Sequence, residues 1–170
     1  MSVRLLNPDD AAEFQALRLR GLAEVPTAFA SSHAEEFGTP LEEIARRLQP
    51  RDDAALWGAW WQGRLAGVVG LQREGLQKLA HKAFLWGMYV APEARGQGLG
   101  EQLMAAALAH AWAVLAVRQV NLGVHADNAG AIRLYQRLGF ERFGLERAAL
   151  QVAARFQDEW HMVCVRPGAR

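Results

Sequence analysis

In the middle of the chain, a strand-like apolar segment runs through a glycine-rich loop into a helix. Residues 84–90 read FLWGMYV, residues 95–101 read RGQGLGE, and the segment beginning at Leu103 reads LMAAALAHAWAVL. At such a helix N-terminus, several backbone N–H groups lack partners within the helix, and the helix dipole adds partial positive charge. One glycine would be enough for a tight turn. Three at alternate positions instead predict a loop that an anion such as phosphate approaches closely.

Two common nucleotide-binding loops do not match this segment. A dinucleotide fingerprint G-x-G-x-x-G that starts at Gly96 would need glycine at position 101, where the chain has Glu101. A P-loop would need Lys followed by Ser or Thr after Gly100, and the chain has Glu101-Gln102 there. The ligand of the loop therefore has to be identified from other residues.

Composition restricts the class of protein. A length of 170 residues predicts a single domain over 1–170, and 51% hydrophobic with 22% charged residues is typical of a globular chain. The net charge of +1 argues against nucleic acid as a partner. The chain shows neither a continuous apolar stretch of membrane-spanning length nor a signal-peptide pattern, which predicts a cytoplasmic protein without a membrane partner. The single cysteine, Cys164, is interpreted as a buried thiol, and the histidines lack metal-site spacing, so no metal is expected.

The pattern of apolar residues, caps and turns predicts the order β-α-α-β-β-β-α-β-α-β-β. Asn7-Pro8 and Thr39-Pro40 read as helix starts, residues 25–38 as a loop, and Gln62-Gly63 as a hairpin turn. The predicted helices end near Glu24, Leu48, Leu115 and Leu138, and the predicted strands cover 3–6, 54–61, 64–74, 83–91, 120–126 and two segments of the tail. This order predicts an α/β fold with one central mixed sheet of about seven strands and helices on both faces.

A second motif follows the glycine loop. Residues 128–140 read NAGAIRLYQRLGF, with the spacing N-x-x-A-x-x-x-Y-x-x-x-G-F. Together with R-x-x-G-x-G at Arg95, Gly98 and Gly100, it closely resembles the GNAT superfamily of acyl-CoA-dependent N-acetyltransferases. The tail pattern A-L-Q-V-x-x-x-F-x-D-E-x-x-M at 149–162 is similar to a common bacterial branch of that superfamily. The resemblance implies a mostly antiparallel sheet in which two neighbouring strands splay apart, and a bulge beside Gly87 would help that splay.

The resemblance implies acetyl-CoA as co-substrate, with its pyrophosphate on the backbone amides of the loop. The pantetheine arm would pair with main-chain groups of Met88 and Val90 like an added strand. The residues implied in cofactor binding are Met88, Val90, Arg95, Gly96, Gln97, Gly98, Leu99, Gly100, Glu101, Asn128 and Tyr135.

The same resemblance implies direct attack of an acceptor amine on the thioester. The Met88 N–H would bond the thioester oxygen, and Tyr135 would act at the sulfur as general acid or hydrogen-bond donor. Asn128 would contact the cofactor arm, which is compatible with a role as helix N-cap.

The general base stays open at this point. A carboxylate found five residues before the Asn in one branch of the family is replaced by Gly123. His125, Glu36 and its neighbour Glu35 are candidates, and a water chain could also carry the proton. Trp86, two residues before Met88, either walls the acceptor pocket or packs in the core.

The function expected from these residues is acetyl transfer from acetyl-CoA to a primary amine of a small molecule or a peptide. The alternatives are a non-catalytic acyl-CoA sensor, which would not need Tyr135, and an unrelated nucleotide-binding domain. A homodimer through the C-terminal strands, common in the family, is left open.

Overall fold

The computed structural model describes residues 1–168, which form seven strands and five α-helices. The strands are β1 (Ser2–Leu5), β2 (Ala54–Trp61), β3 (Arg64–Arg73), β4 (Lys82–Val90), β5 (Gln119–His125), β6 (Glu141–Val152) and β7 (Arg155–Val165). The helices are α1 (Ala11–Glu24), α2 (His33–Glu36), α3 (Leu41–Arg47), α4 (Leu99–Ala113) and α5 (Ala129–Arg137). None of the described helices is long and apolar enough to cross a membrane.

All seven strands belong to one sheet in the order β1-β2-β3-β4-β5-β7-β6. Every neighbouring pair is antiparallel except β4 and β5, which are parallel because the chain crosses over through α4 between them. The final strand β7 inserts between β5 and β6, so β6 forms an edge. The predicted mixed, mostly antiparallel sheet of seven strands is confirmed.

Strands β4 and β5 pair only at their N-terminal ends. Lys82, Ala83 and Phe84 pair with residues 119–121, and beyond these three positions the two strands have no further register partners. The backbone groups that face the resulting gap are not used in the sheet. This confirms the splayed pair that the resemblance implied.

A bulge in β4 lies at the start of this gap. Val68 of β3 pairs with Tyr89, whereas Gly70 pairs with Trp86, so β4 has one residue more than β3 over the same distance. Gly87 takes the left-handed conformation with φ of +65°. A glycine in this conformation is typical of a bulge that bends its strand and increases its twist.

Helices cover both faces of the sheet. Tyr89 packs against Gly21 of α1, and its neighbour Val90 lies beside Gly100 of α4. Consecutive strand residues point to opposite faces, so α1 and α4 lie on opposite sides of β4. Helix α5 lies on the α4 side, because Leu134 also lies beside Gly100.

Three local predictions needed revision. Asn7 does form a capping box with Asp10, but Pro8–Asp10 is a 3-10 turn and the α-helix proper begins at Ala11. Thr39 does not cap α3; Pro40 occupies the N-cap position, and its ring has no side-chain acceptor for the free N–H groups. The loop predicted over 25–38 contains α2, which begins with a capping box formed by Ser32 and Glu35.

Candidate functional site

The gap between β4 and β5 opens into a cavity of about 1000 Å³. Its walls are the C-terminal halves of both strands, the glycine loop with the first turn of α4, the first two turns of α5, and residues 25, 27 and 28 from the segment after α1. The cavity therefore extends from the α4 and α5 face of the sheet, through the splay, toward the segment that follows α1.

The three glycines of the loop have two different structural roles. Gly96 and Gly98 adopt φ of +76° and +77°, a conformation that other residues rarely take, and Gly98 is the N-cap of α4. A Cβ on Gly100 would instead approach the side chains of Met88 and Leu134 to 3.2 Å each. Gly100 therefore allows α4 to pack closely on β4 and α5. The sequence predicted close approach of an anion at all three glycines, and Gly100 has this packing role in addition.

The first turn of α4 presents free backbone N–H groups to the cavity. Gly98, Leu99, Gly100 and Glu101 line it, and the first three N–H groups of a helix have no intrahelical acceptor. The positive end of the helix dipole lies at the same place. This end of the cavity is suited to an anion.

Of the loop residues Arg95 and Gln97, only Arg95 lies at the cavity wall. The Arg95 Nε donates to the Val90 carbonyl oxygen at 2.9 Å, which holds the guanidinium at the cavity wall. Gln97 is exposed and does not belong to the residues that line the cavity, so its side chain is not placed for a contact there.

Met88 and Val90 lie at the cavity wall, as predicted. Gly87 and Met88 lie in the bulge, where neither residue is paired with a residue of β3. The Met88 side chain extends to the first turn of α4. Its packing role and a role for its backbone N–H in the gap are therefore compatible.

Tyr135 lines the same cavity from α5 and is only 6% exposed. Its ring packs against Phe140 with 5.9 Å between centroids. Burial raises the pKa of the Tyr135 phenol to about 12, because the charged phenolate is poorly solvated there. The hydroxyl is therefore fully protonated at neutral pH and available as a donor.

Asn128 acts as the N-cap of α5. Its side-chain oxygen accepts a hydrogen bond from the Ala131 N–H at 3.1 Å, and the residue lines the cavity. The cap uses the oxygen, which leaves the amide nitrogen as the donor for any contact with a ligand.

The three predicted base candidates are all engaged with other groups, Glu35 in the capping box with Ser32. Glu36 accepts hydrogen bonds from Arg18 at 3.1 and 2.8 Å and from Ser31, and it lines a separate cavity. Burial alone would raise the pKa of the Glu36 carboxyl, but these bonds and the charges of Arg18 and Arg47 outweigh burial and lower it. His125 lines the main cavity, with its Nε2 2.8 Å from the Gln157 side-chain oxygen.

Sequence reasoning did not single out Glu159 of β7, which lies beside Gly123. Its Oε2 lies 3.2 Å from the position that a Cβ on Gly123 would take, and Gly123 lines the main cavity. The residue is the Glu of the D-E pair in the tail pattern, which was noted only as a family similarity. What singles it out is the strand pairing of β5 and β7, which the sequence does not show.

A second cavity of about 240 Å³ lies beside the first, between α1, α3 and the sheet. Trp86 lines both cavities, and its indole stacks over Gly70. Arg18 also lines the second cavity; its buried Nη1 has no hydrogen-bond partner among the described residues and lies on the side of Gly87. The structure thus places Trp86 at the wall between two cavities rather than in the closed core.

The other titratable groups form no further site. Cys164 is buried and its pKa is raised by burial, in agreement with a core thiol. Within residues 1–168, no group of three or more His, Cys, Asp or Glu side chains is arranged to hold a metal ion.

Comparison with known proteins agrees with this geometry. The profile described as the acetyltransferase (GNAT) family matches residues 22–140. The chain is 38% identical over 125 residues to a mycothiol acetyltransferase of Thermobispora bispora, which covers 70% of this chain and 41% of that protein. The chain thus spans about two-fifths of the length of this relative.

Solved structures share the fold. A GNAT-family acetyltransferase from Streptococcus pneumoniae superposes with a TM-score of 0.86 at 25% identity, covering 97% of this chain and 99% of the other. A phosphinothricin acetyltransferase from Sinorhizobium meliloti, solved in complex with acetyl-CoA, gives a TM-score of 0.81 at 20% identity over 96% of this chain and 87% of the other. With a family match over residues 22–140, most of the chain, this protein belongs to the acetyltransferase (GNAT) family.

Proposed function

We propose that residues 1–170 act as one N-acetyltransferase domain that moves the acetyl group of acetyl-CoA to a primary amine of a small molecule or peptide. The observation that carries this proposal is the single cavity that joins three features. These are the free N–H groups at the start of α4, the unpaired edges of β4 and β5, and the Tyr135 hydroxyl. A nucleotide-binding domain would need the first feature but neither of the others.

Each part of acetyl-CoA has a matching part of the cavity. The pyrophosphate fits the N–H groups of Gly98 to Glu101 and the Arg95 guanidinium. The pantetheine arm carries amide groups that pair with the free edge of β4 near Met88 and Val90. The related structure from Sinorhizobium meliloti holds acetyl-CoA and has this fold, which supports the assignment. The reaction needs no metal.

The reaction proceeds by direct attack in a ternary complex. The amine nitrogen attacks the thioester carbon, and the developing oxyanion is stabilised by the Met88 N–H in the bulge. The Tyr135 hydroxyl donates a hydrogen bond to the departing sulfur. Its pKa of about 12 lies above the value of about 8.5 typical of a thiol. Complete proton transfer from Tyr135 to the thiolate would therefore be uphill, and a hydrogen bond to the thiolate is the favoured contribution.

The second cavity is the proposed acceptor site. It meets the main cavity at Trp86, close to the bulge where the thioester carbonyl would lie. Its volume of about 240 Å³ suits a small molecule or the end of a peptide.

A non-catalytic acyl-CoA sensor is the alternative. Binding alone does not require a buried phenol at the sulfur, so Tyr135 favours the enzyme. A location in the cytoplasm and a homodimer through the C-terminal strands stay predictions. Sedimentation of the purified protein tests the dimer.

The test is release of free thiol from acetyl-CoA in the presence of amino acids, polyamines, aminoglycosides and peptides. Amine-dependent release with at least one class is expected. Acetyl-CoA binding without release for any amine would favour the sensor, and displacement of acetyl-CoA by ATP or NAD would favour the nucleotide-binding domain.

A further inference from the structure

We propose that the carboxylate of Glu159 on β7 is the general base that takes the proton from the acceptor amine. This inference rests on the proposed function. It also addresses the general base, which the sequence left open with Gly123 five residues before Asn128.

The Glu159 carboxylate lies next to the space that a side chain at Gly123 would take. Gly123 lies on β5 where that strand has separated from β4, and it lines the main cavity. A side chain at this position would lie 3.2 Å from the Glu159 Oε2 and 3.6 Å from its carboxyl carbon. The neighbouring strand therefore supplies, at the same place, the functional group that β5 itself lacks.

The pairing of β5 and β7 shows which face of the sheet the Glu159 side chain lies on. Glu159 lies directly opposite His125, and His161 lies directly opposite Gly123. Because side chains alternate along a strand, these residues share one face of the sheet. It is the face on which His125 and Gly123 border the cavity. Tyr135 belongs to α5 on the opposite face, so a base and a donor would approach the thioester from its two sides.

The carboxylate has no hydrogen-bond partner within the described part of the chain, although both flanking histidines do have partners. His125 is held by Gln157 at 2.8 Å, and His161 by Glu146 at 2.7 Å. Both rings are thereby directed away from pairing with Glu159. A half-buried carboxylate that is left unpaired is costly to stability and needs an explanation, which a catalytic role provides.

The surroundings make Glu159 a better base than an ordinary glutamate. Burial and the negative charge of Glu146, opposite on β6, raise the pKa of its carboxyl, while His161 on β7 and His125 on β5 lower it, and the net shift is upward. A higher pKa gives a stronger base. Glu36, which lines the proposed acceptor cavity, instead has a lowered pKa because Arg18 and Ser31 bond it.

The step balances without any further reactant. The acceptor ammonium gives one proton to the Glu159 carboxylate, and the free amine nitrogen forms a bond to the thioester carbon. When the C–S bond breaks, the electron pair leaves with sulfur. The second N–H proton ends on that sulfur to give the thiol. Glu159 then releases its proton to water.

The experiment compares Glu159→Gln with the wild-type protein, using acetyl-CoA and an amine that the wild type accepts. We expect kcat/KM to fall about 100-fold or more, since a general base contributes factors of that size, with little change in acetyl-CoA affinity. The wild-type kcat/KM should decline as the pH falls through the Glu159 pKa, and this decline should be absent in Glu159→Gln. Glu146→Gln should move the decline to lower pH, because it removes the like charge.

The raised pKa of Glu159 also provides a control for folding. Because the folded pKa of Glu159 is raised, the folded state binds more protons than the unfolded state between the two pKa values, and stability falls as the pH rises through that window. Glu159→Gln cannot ionise, so above the window it should melt at the same or a higher temperature than wild type. Glu42→Gln is the matched control for activity, because Glu42 is exposed in the first turn of α3 and lines neither cavity.

The outcomes separate the two proposals. If the wild-type protein acetylates none of the amines, the proposed function is wrong, and the assignment of Glu159 as its general base is wrong with it. If wild type is active and Glu159→Gln matches it in rate and pH profile, the base is wrong and the proposed function stands.

Discussion

At the scale of single residues, the chain has two tyrosines whose hydroxyl groups lie in different surroundings. The Tyr89 hydroxyl donates to Glu24 at 2.6 Å, which ties β4 to the end of α1. The Tyr135 hydroxyl has no hydrogen-bond partner among residues 1–168 and borders the cavity. Both phenols have a pKa raised to about 12, Tyr89 by burial and by Glu24, and Tyr135 by burial alone. The shifted pKa therefore does not distinguish the two tyrosines, whereas the hydrogen-bond partner of the hydroxyl does.

Tyr135→Phe should lower kcat about 10- to 100-fold while the acetyl-CoA dissociation constant stays unchanged. The physical reason is the loss of one hydrogen bond to a charged sulfur, which is worth about 1.5–3 kcal/mol. Steady-state kinetics and calorimetric titration provide the two measurements. Tyr89→Phe is the matched control and should keep its kcat, since its hydroxyl faces Glu24. Equal rates for Tyr135→Phe and wild type would remove Tyr135 from the mechanism.

Gly98→Ala should weaken acetyl-CoA binding. Its φ of +77° strains any other residue by about 1–2 kcal/mol, and relief of that strain turns the N–H groups of the loop away from the pyrophosphate. Gly63→Ala is an equivalent control, because Gly63 has the same φ of +77°, has open space around its Cβ position and lies in the hairpin between β2 and β3. Both variants should melt earlier, and calorimetry should detect weaker binding only for Gly98→Ala. Equal affinities would contradict the placement of the pyrophosphate.

At the scale of elements, the bulge in β4 lies where the two cavities border each other. The bulge at Gly87 changes which residue faces which side, and the Trp86 indole then packs over Gly70 at the wall between the cavities. A bulge is typical of sites where a strand has to redirect a side chain. One extra residue in β4 thus lies next to the wall that the two cavities share.

Gly70→Ala should raise the KM for the acceptor and lower stability. A Cβ at position 70 would lie 2.3 Å from the Trp86 indole, and a rigid indole can relieve such an overlap only by moving. Gly144→Ala in β6 is the control, because nothing lies within 4 Å of its Cβ position. Kinetics with saturating acetyl-CoA and thermal unfolding of both variants measure the difference. An unchanged KM in Gly70→Ala would show that Trp86 does not border the acceptor.

At the scale of elements, sequence patterns predicted what local contacts decide. The Gln62-Gly63 hairpin is confirmed, with φ of +51° and +77°, and α1 ends at Glu24 as expected. The short helix α2 was missed because four residues show no helical periodicity. Thr39 was misassigned as a cap because a capping box and a turn before proline look alike in sequence.

At the scale of the whole molecule, the cofactor would bridge parts of the chain that are distant in sequence. The cavity is bordered by the segment after α1, by β4, by α4, by β5 and by α5. A ligand that touches all of them binds only the folded state and should stabilise the whole sheet together.

Acetyl-CoA at about 100 times its dissociation constant should stabilise the protein by about 2.7 kcal/mol, which corresponds to an increase in Tm of about 5–10 °C for a chain of this size. Unfolding should occur in a single transition at every concentration, as the one-domain proposal requires. Differential scanning calorimetry measures both quantities, with ATP at the same concentration as the control. An unchanged Tm would contradict acetyl-CoA as the ligand, and two separate transitions would contradict a single domain.

The sequence by itself determined the element order, the glycine loop before α4 and the Asn128 to Tyr135 motif, because each is a pattern within one segment. Only the tertiary structure decided where β4 and β5 part, that Trp86 lines two cavities, and that Glu159 lies beside Gly123. These features depend on strand register and on the approach of helices to the sheet. No hairpin turn fixes the register of β4 with β5 or of β5 with β7, so it depends on how side chains from distant parts of the chain pack on each face of the sheet.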